Sequence, residues 1–248
     1  MDKYGLIGFP LRHSFSKDYF NNKFAAEGIN AEYINFEIAS IKELKSIIRN
    51  NPELKGLNVT IPYKEQVISY LDYINDNAKQ IGAVNVIKID RRKKKIKLSG
   101  YNSDITGFEE SIKPLLKPYH RQALVLGTGG SAKAIYYGLQ QLGLEATYVS
   151  RQKSSEQILT YSELTQEVME ARTVVVNCTP VGLWPDVDDC PLIPYQFLTA
   201  KHLLYDLLYN PDETLFMKKG EEHGAVVKNG LEMLLLQAFV GWNFWIKE

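Results

Sequence analysis

Apolar and polar positions along this chain repeat with two periods, two residues for strands and about 3.6 for helices. In the first hundred residues the two periods take turns. Residues 4–8 form a short apolar run ended by Phe9-Pro10, which reads as a strand. Tyr19, Phe20, Lys23 and Phe24 recur at helical spacing within residues 18–27, and Gly28 stops that helix. Residues 31–36 alternate as a strand, and Ile41, Leu44, Ile47 and Ile48 share one stripe of a helix over 41–48. A strand over 57–61 leads through Pro62 to a helix over 64–71, followed by a short helix over 76–81. Strands over 83–89 and 96–98 flank a basic tip. The alternation predicts an α/β unit with a mixed, largely parallel sheet that closes in one antiparallel hairpin.

From residue 122 the rhythm is more regular. Residues 123–126 are all apolar, and the run is short enough for a strand buried on both faces. Gly127, Gly129 and Gly130 follow, and a helical pattern covers 131–142. Further strands are predicted over 145–149, 173–176, 202–206 and 225–227, with helices over 104–116 and 161–171. This is the pattern of a Rossmann-like, doubly wound sheet whose strands end in polar loops along one edge. An apolar-striped helix over 230–247 carries Met233, Leu234, Gln237, Val240 and Phe244 in register. Its natural host is the first half of the chain. Two domains follow: residues 1–101 with 231–248 as a substrate-binding domain, and residues 102–230 as a dinucleotide-binding one.

Composition narrows the choice of function. Apolar residues at 45% supply a core without staples. The 29 basic and 29 acidic side chains leave no net positive field, which argues against a nucleic-acid partner. The basic tip at 91–95 has no interleaved aromatics and reads as a solvated turn that blunts a sheet edge. Cys178 and Cys190 make no metal signature with any histidine. The first residues lack a signal-peptide core, and the most apolar stretch, 233–246, is too short and too interrupted to span a bilayer. A cytoplasmic protein acting on a small molecule is expected, without a membrane partner, as a monomer or homodimer.

Several polar residues stand where a ligand would meet them. Ser14 and Ser16 flank Phe15, and in an extended segment both hydroxyls face one way and can grip a carboxylate or a diol. Alternatively, Ser16 caps the helix that begins near Asp18. Asn58 and Thr60 share a face at the C-terminal end of a strand, the edge where open parallel sheets bind ligands. Lys64 follows at the predicted start of a helix, where it opposes the dipole, a small local cost that favours a functional role. Asn85 stands at a strand end, with loop capping as the plainer alternative. Asp104 opens a helix and can serve as its N-cap. Gly127-Thr128-Gly129-Gly130-Ser131-Ala132 lies between strand and helix, the setting in which G-x-G-x-x-A brings backbone close to a pyrophosphate. The helix then turns its free N–H groups and positive dipole end toward the phosphates. After the next strand comes Ser150-Arg151-Gln152-Lys153, with no acid until Glu156. An NAD site places an acid there for the ribose 2′-OH, whereas an arginine fork and a lysine suit the 2′-phosphate of NADP. Ordinary solvated loop cations are the alternative.

Taken together, these motifs resemble the shikimate 5-dehydrogenase family over nearly the whole chain. They are His13-Ser14-Phe15-Ser16, Asn58-Val59-Thr60-Ile61-Pro62-Tyr63-Lys64, and Gly82-Ala83-Val84-Asn85. Asn102-Ser103-Asp104 with Gly107, Tyr205-Asp206 with Tyr209-Asn210-Pro211, and Met233-Leu234 with Gln237-Ala238 complete the set. The resemblance implies reversible NADPH-dependent reduction of 3-dehydroshikimate to shikimate, a step of aromatic amino-acid biosynthesis. It implies that Ser14, Ser16, Asn58, Thr60, Asn85, Asp104 and Gln237 bind substrate, the two serines at its carboxylate, with Lys64 and Asp104 as the catalytic pair. Tyr209 and Gly230 would lie near substrate and nicotinamide, residues 127–132 and Thr179 would hold the cofactor, and 150–153 its adenosine phosphate. No metal is implied. This chain departs from the family pattern at Lys17, where proline is common, at Val86, where threonine is usual, and around Arg151, whose neighbours differ. It also ends soon after Trp245, so a last helix seen in many members is expected to be absent. The competing readings are a quinate/shikimate dehydrogenase using NAD or NADP, and a catalytically silent sensor of a cyclic polyol acid. A sensor has no need of both Lys64 and Asp104.

Overall fold

The computed structural model describes residues 1–11, 15–91, 95–153, 155–156 and 158–247; His13, Ser14 and most of the basic tip lie outside these. The chain forms two compact units, Met1–Ser103 with Ala238–Glu248, and Asp104–Gln237.

The first unit contains β1 (Asp2–Gly8), α1 (Phe15–Ala26), β2 (Ala31–Glu37), α2 (Leu44–Asn50), β3 (Leu54–Val59), β4 (Tyr73–Ile74), α3 (Asp76–Ile81), β5 (Val86–Asp90) and β6 (Lys97–Tyr101). Its sheet runs β2-β1-β3-β5-β6-β4. β2, β1 and β3 are parallel, whereas β5 is antiparallel to both β3 and β6. Alternation along β1 explains the two-sided core. Ile7 joins Leu44, Leu57 and Ile87 on one face, while Tyr4 and Leu6 join Phe20, Phe24, Tyr33, Trp242 and Trp245 on the other. The two tryptophans come from the end of α8 (Leu231–Ile246), whose residues from 238 onward belong to this unit. Trp245 lies where Gly56 has no side chain, and its indole N–H donates to the Ile87 carbonyl at 3.0 Å. A Cβ at Gly56 would overlap that ring.

Two expected features of this unit are corrected. The helix predicted over 64–71 is a 3-10 turn over Gln66–Tyr70, with Lys64 in the turn before it. The reason lies in the backbone. The Lys64 carbonyl accepts from Val84 N–H at 2.8 Å, so it is taken by another segment rather than by a helical partner. Ile68 N–H reaches Glu65 instead, at 3.3 Å. In addition, α1 starts at Phe15 rather than near Asp18, which puts Ser16 inside its first turn.

The second unit contains α4 (Asp104–Ile112), β7 (Gln122–Leu126), α5 (Gly130–Gln141), β8 (Glu145–Ser150), β9 (Ile158–Thr160), α6 (Gln166–Ala171), β10 (Val174–Asn177), β11 (Leu203–Asp206), α7 (Leu215–Glu222) and β12 (Val226–Lys228), followed by the start of α8. All pairings in its sheet are parallel, in the order β12-β11-β10-β7-β8-β9. The order reverses between β7 and β10, the topological switch point at which doubly wound sheets bind ligands. The helix expected over 161–171 is broken into a 3-10 turn, Tyr161–Glu163, and α6. Thr165 ends the first piece by capping the second, its hydroxyl accepting from Val168 N–H at 3.4 Å. β9 and α7 do not stand out in the sequence.

Candidate active site

In the first unit the polar residues of the sheet edge are drawn together by the backbone. Val59 N–H donates to the Asn85 carbonyl at 2.8 Å, and Val84 N–H to the Lys64 carbonyl at 2.8 Å. The 82–85 segment is thereby laced along residues 59–64. Asn58 is buried; its Nδ2 donates to the Asn85 carbonyl at 3.3 Å, and its Oδ1 accepts from the Tyr33 hydroxyl at 2.7 Å. The Asn85 side chain is also fixed, its Oδ1 accepting from Ser103 N–H at 2.7 Å and its Nδ2 donating to Ser103 Oγ at 3.0 Å. Thr60 is half-buried, and its methyl group occupies the space that a side chain at Gly8 would need. Lys64 is half-buried on the same segment.

Ser16 lies in the first turn of α1, with its side chain beside the Tyr33 hydroxyl. The local geometry expected at Ser16 is corrected on both counts. The residue is not in an extended segment, and it follows the first helical residue instead of preceding the helix as a cap. The dipole argument at Lys64 also fails, because no α-helix begins there. Ser14 lies outside the described residues.

In the second unit, β7 runs into the glycine turn. Gly127 has φ +103°, and a Cβ there would come within 3.3 Å of the Thr179 methyl. Gly129 precedes α5 with no side chain capping the helix, and the space a Cβ would fill has nothing within 4 Å. Gly130 and Ser131 are the first residues of α5, Thr128 is exposed, and the buried Ala132 lets the helix close on the strand. An open space before an uncapped helix N-terminus fits a dinucleotide pyrophosphate.

Thr179 faces this turn from the end of β10. Its N–H and hydroxyl both donate to Asn177 Oδ1, at 3.0 and 2.6 Å. Asn177 Nδ2 in turn donates to Asp206 Oδ1 at 3.0 Å. Asp206 also accepts from Leu208 N–H at 3.0 Å and from the Thr214 hydroxyl at 2.7 Å. Burial pushes its carboxyl up to about 6, against the pull of those donors.

At the end of β8, Ser150 is half-buried, while Arg151 and Lys153 are exposed. The Arg151 guanidinium acts on the Tyr161 hydroxyl, countering part of the burial that raises it. Lys153 pairs with Glu163 at 2.5 Å. The hydrogen bond from Lys153, helped by the Thr160 N–H and hydroxyl, pulls the Glu163 carboxyl down to about 2. An acid therefore stands beside this loop, carried in by β9 and the turn after it. Sequence spacing missed it because β9 itself was not visible.

The remaining candidates sit on α4, α8 and the loop after β11. Asp104 is buried as the first residue of α4. One turn on, a Cβ at Gly107 would come within 2.7 Å of the Met233 carbonyl, so α4 and α8 touch backbone to backbone. Gln237 Nε2 donates to the Leu234 carbonyl at 3.0 Å in its own helix. Tyr209 is half-buried, and burial raises its hydroxyl. Gly230 N–H donates to the Leu208 carbonyl at 2.9 Å, and a Cβ there would overlap the Leu207 carbonyl oxygen. A close backbone approach is thus reason enough for glycine at 230. Lys64 belongs to the first unit and Asp104 opens the second. Among the described residues there is no group of three His, Cys, Asp or Glu that could hold a metal ion, and no helix long and apolar enough to cross a membrane.

Known proteins resemble this chain along nearly its whole length. Residues 6–87 match the shikimate dehydrogenase substrate binding domain. The chain is 37% identical over 251 residues to a shikimate dehydrogenase (NADP(+)) of Aquifex aeolicus, covering 98% of this chain and 90% of that one. The crystal structure of a Thermus thermophilus shikimate 5-dehydrogenase in complex with NADP(H) and shikimate superposes with a TM-score of 0.85 at 28% identity, covering 99% of this chain and 94% of that one. A quinate dehydrogenase from Corynebacterium glutamicum in complex with NAD superposes with a TM-score of 0.86 at 25% identity, covering 99% and 93% of the two chains. Full-length likeness, the motifs and their placement on the two sheets lead to one conclusion: the chain belongs to the shikimate dehydrogenase family.

Proposed function

We propose that this protein is an oxidoreductase that interconverts 3-dehydroshikimate and shikimate with NADP, in the cytoplasm. The observation that carries this reading is the lacing of residues 58–64 to 82–85, which gathers Asn58, Thr60, Lys64 and Asn85 at one sheet edge. Four neutral or cationic polar groups at such an edge suit a polyhydroxylated acid. The open, uncapped turn before α5 suits the pyrophosphate of the cofactor.

The two reactions of reduction are a hydride to the ring carbonyl carbon and a proton to its oxygen. Bound NADPH supplies the hydride from nicotinamide C4. The protein's own task is orientation and proton handling. Lys64 and Asp104 are proposed as the residues that serve the oxygen, giving its proton in reduction and taking it in oxidation. Asn58, Thr60, Asn85, Tyr209 and Gln237 are proposed to hold ring hydroxyls, and Ser14 and Ser16 the carboxylate. Gly127 to Ala132, Thr179 and Gly230 are proposed to line the cofactor, with Ser150, Arg151 and Lys153 toward its 2′-phosphate. The Lys153–Glu163 pair leaves Arg151 as the principal cation for that role.

A second reading is supported by the likeness to the quinate dehydrogenase of C. glutamicum. Here quinate would replace shikimate, and NAD would replace NADP. Initial rates with shikimate and quinate, each with NADP and NAD, separate the two. The shikimate–NADP pair should give the highest kcat/KM; a higher value for quinate with NAD would establish the second reading.

A further inference from the structure

Tyr33 is fully buried near the middle of β2, where an alternating strand pattern reads it as core. Its surroundings are more specific than that. Its ring stacks on Phe20 of α1, with centroids 4.9 Å apart and planes within 11°. Its backbone is clamped by the amide of Asn21, which donates to the Tyr33 carbonyl at 3.1 Å and accepts from the Tyr33 N–H at 2.9 Å. α1 is therefore pinned to β2 at this one residue. The hydroxyl donates to Asn58 Oδ1 at 2.7 Å, and the Ser16 side chain on α1 faces it and favours its ionised form.

The reach is unusual. β1 lies between β2 and β3, so Asn58 is two strands away from Tyr33, roughly 10 Å across the sheet. The long Tyr33 side chain with its terminal hydroxyl meets it from there. The bond also fixes which way round the Asn58 amide sits. Asn58 Nδ2 donates to the Asn85 carbonyl and Oδ1 takes the Tyr33 proton. The flipped amide would set an N–H against the phenol and an oxygen against the Asn85 carbonyl. With its proton given to Asn58, the Tyr33 oxygen is left able to accept from the Ser16 hydroxyl.

We propose that Tyr33 is a positioning residue of the substrate site: its buried hydroxyl holds Ser16 on α1 and the amide of Asn58 on β3 in fixed relation. This inference rests on the proposed roles of Ser16 and Asn58 in binding shikimate. Tyr33 itself touches no substrate. Its removal leaves a buried amide oxygen without a donor and releases the amide to turn, so the cost falls on substrate affinity.

Wild-type turnover of shikimate is measured first, since its absence refutes the proposed reaction itself. Tyr33→Phe is then compared by steady-state kinetics and by calorimetric binding of shikimate. The expected result is a rise in KM and Kd for shikimate of roughly tenfold, with kcat and the KM for NADP within about twofold, as for one or two lost hydrogen bonds. Phe20→Leu, which removes the stacked ring and keeps the hydroxyl, should lower the Tm and leave the KM within about twofold. An unchanged KM in a folded Tyr33→Phe protein, or an equal rise in Phe20→Leu, would overturn the role of Tyr33 alone. If Tyr33→Phe does not fold, the wild-type crystal structure with shikimate decides. The Tyr33 hydroxyl should remain within hydrogen-bond distance of Ser16 and Asn58, and a phenol turned away from both overturns the proposal.

Discussion

Asp206→Asn offers a pH test of the buried network behind the proposed cofactor loops. In the folded protein the carboxylate accepts from Asn177 Nδ2, Leu208 N–H and the Thr214 hydroxyl, and burial still holds its pKa at about 6 against an ordinary 3.8. The folded value lies above the unfolded one. The stability linked to this group is therefore fully present below pH 3.8 and is lost as pH rises through about 6. A shift of this size corresponds to about 3 kcal/mol in full, of which about 2 kcal/mol develops between pH 4 and 7. An asparagine can present its oxygen to Asn177 and Leu208 and its N–H₂ to Thr214, whose hydroxyl can rotate to accept. The variant carries no titrating group here, so its fixed cost cancels in a comparison across pH. Urea denaturation of both proteins at half-unit steps gives the difference directly. Asp206→Asn should gain on the wild type by about 2 kcal/mol as pH rises from 4 to 7 and then level off. A difference that stays flat, or that grows in the opposite sense, would refute the argument that burial governs this carboxyl.

Lys64→Ala should lower kcat by at least ~100-fold with a much smaller change in KM, as for a lost general acid–base group; near-native kcat would remove Lys64 from the chemistry. Arg151→Ala should cut the preference for NADP over NAD by about tenfold or more, the worth of a charge-assisted contact to phosphate. Glu163→Gln, which releases Lys153, should move the same kcat/KM ratio the other way. An unchanged ratio in both would mean that neither cation reads the 2′-phosphate. Gly230→Ala should cost about 2 kcal/mol or more, because its methyl group meets the Leu207 backbone carbonyl. A native Tm in that variant would show that the loop after β11 yields.

Much of the fold is legible because its signals are local. The run 123–126, the glycines and the helix after them announce β7, the turn and α5, and the structure puts each within a residue of its predicted place. What escaped depends on partners far away in sequence. β4 has two residues and β9 three, too few to show a period. The helix at 64–71 was predicted from pattern, yet the Lys64 carbonyl is claimed by Val84, which no local rule anticipates. The same limit applies to the site. Asn58, Thr60, Lys64 and Asn85 could be named from motif and strand-end position. That Tyr33 reaches Asn58 across an intervening strand, and that Glu163 returns to Lys153, depends on the order of strands in each sheet.

The most direct test of the central claim is the product of a single incubation. Purified protein is mixed with shikimate and NADP, and the reduced nicotinamide absorbance is followed while the carbon product is identified by mass. The account predicts equal amounts of NADPH and of a product two hydrogens lighter than shikimate, formed with wild type and nearly abolished in Lys64→Ala. Absence of that product with the wild-type protein, although shikimate and NADP both bind, would contradict it.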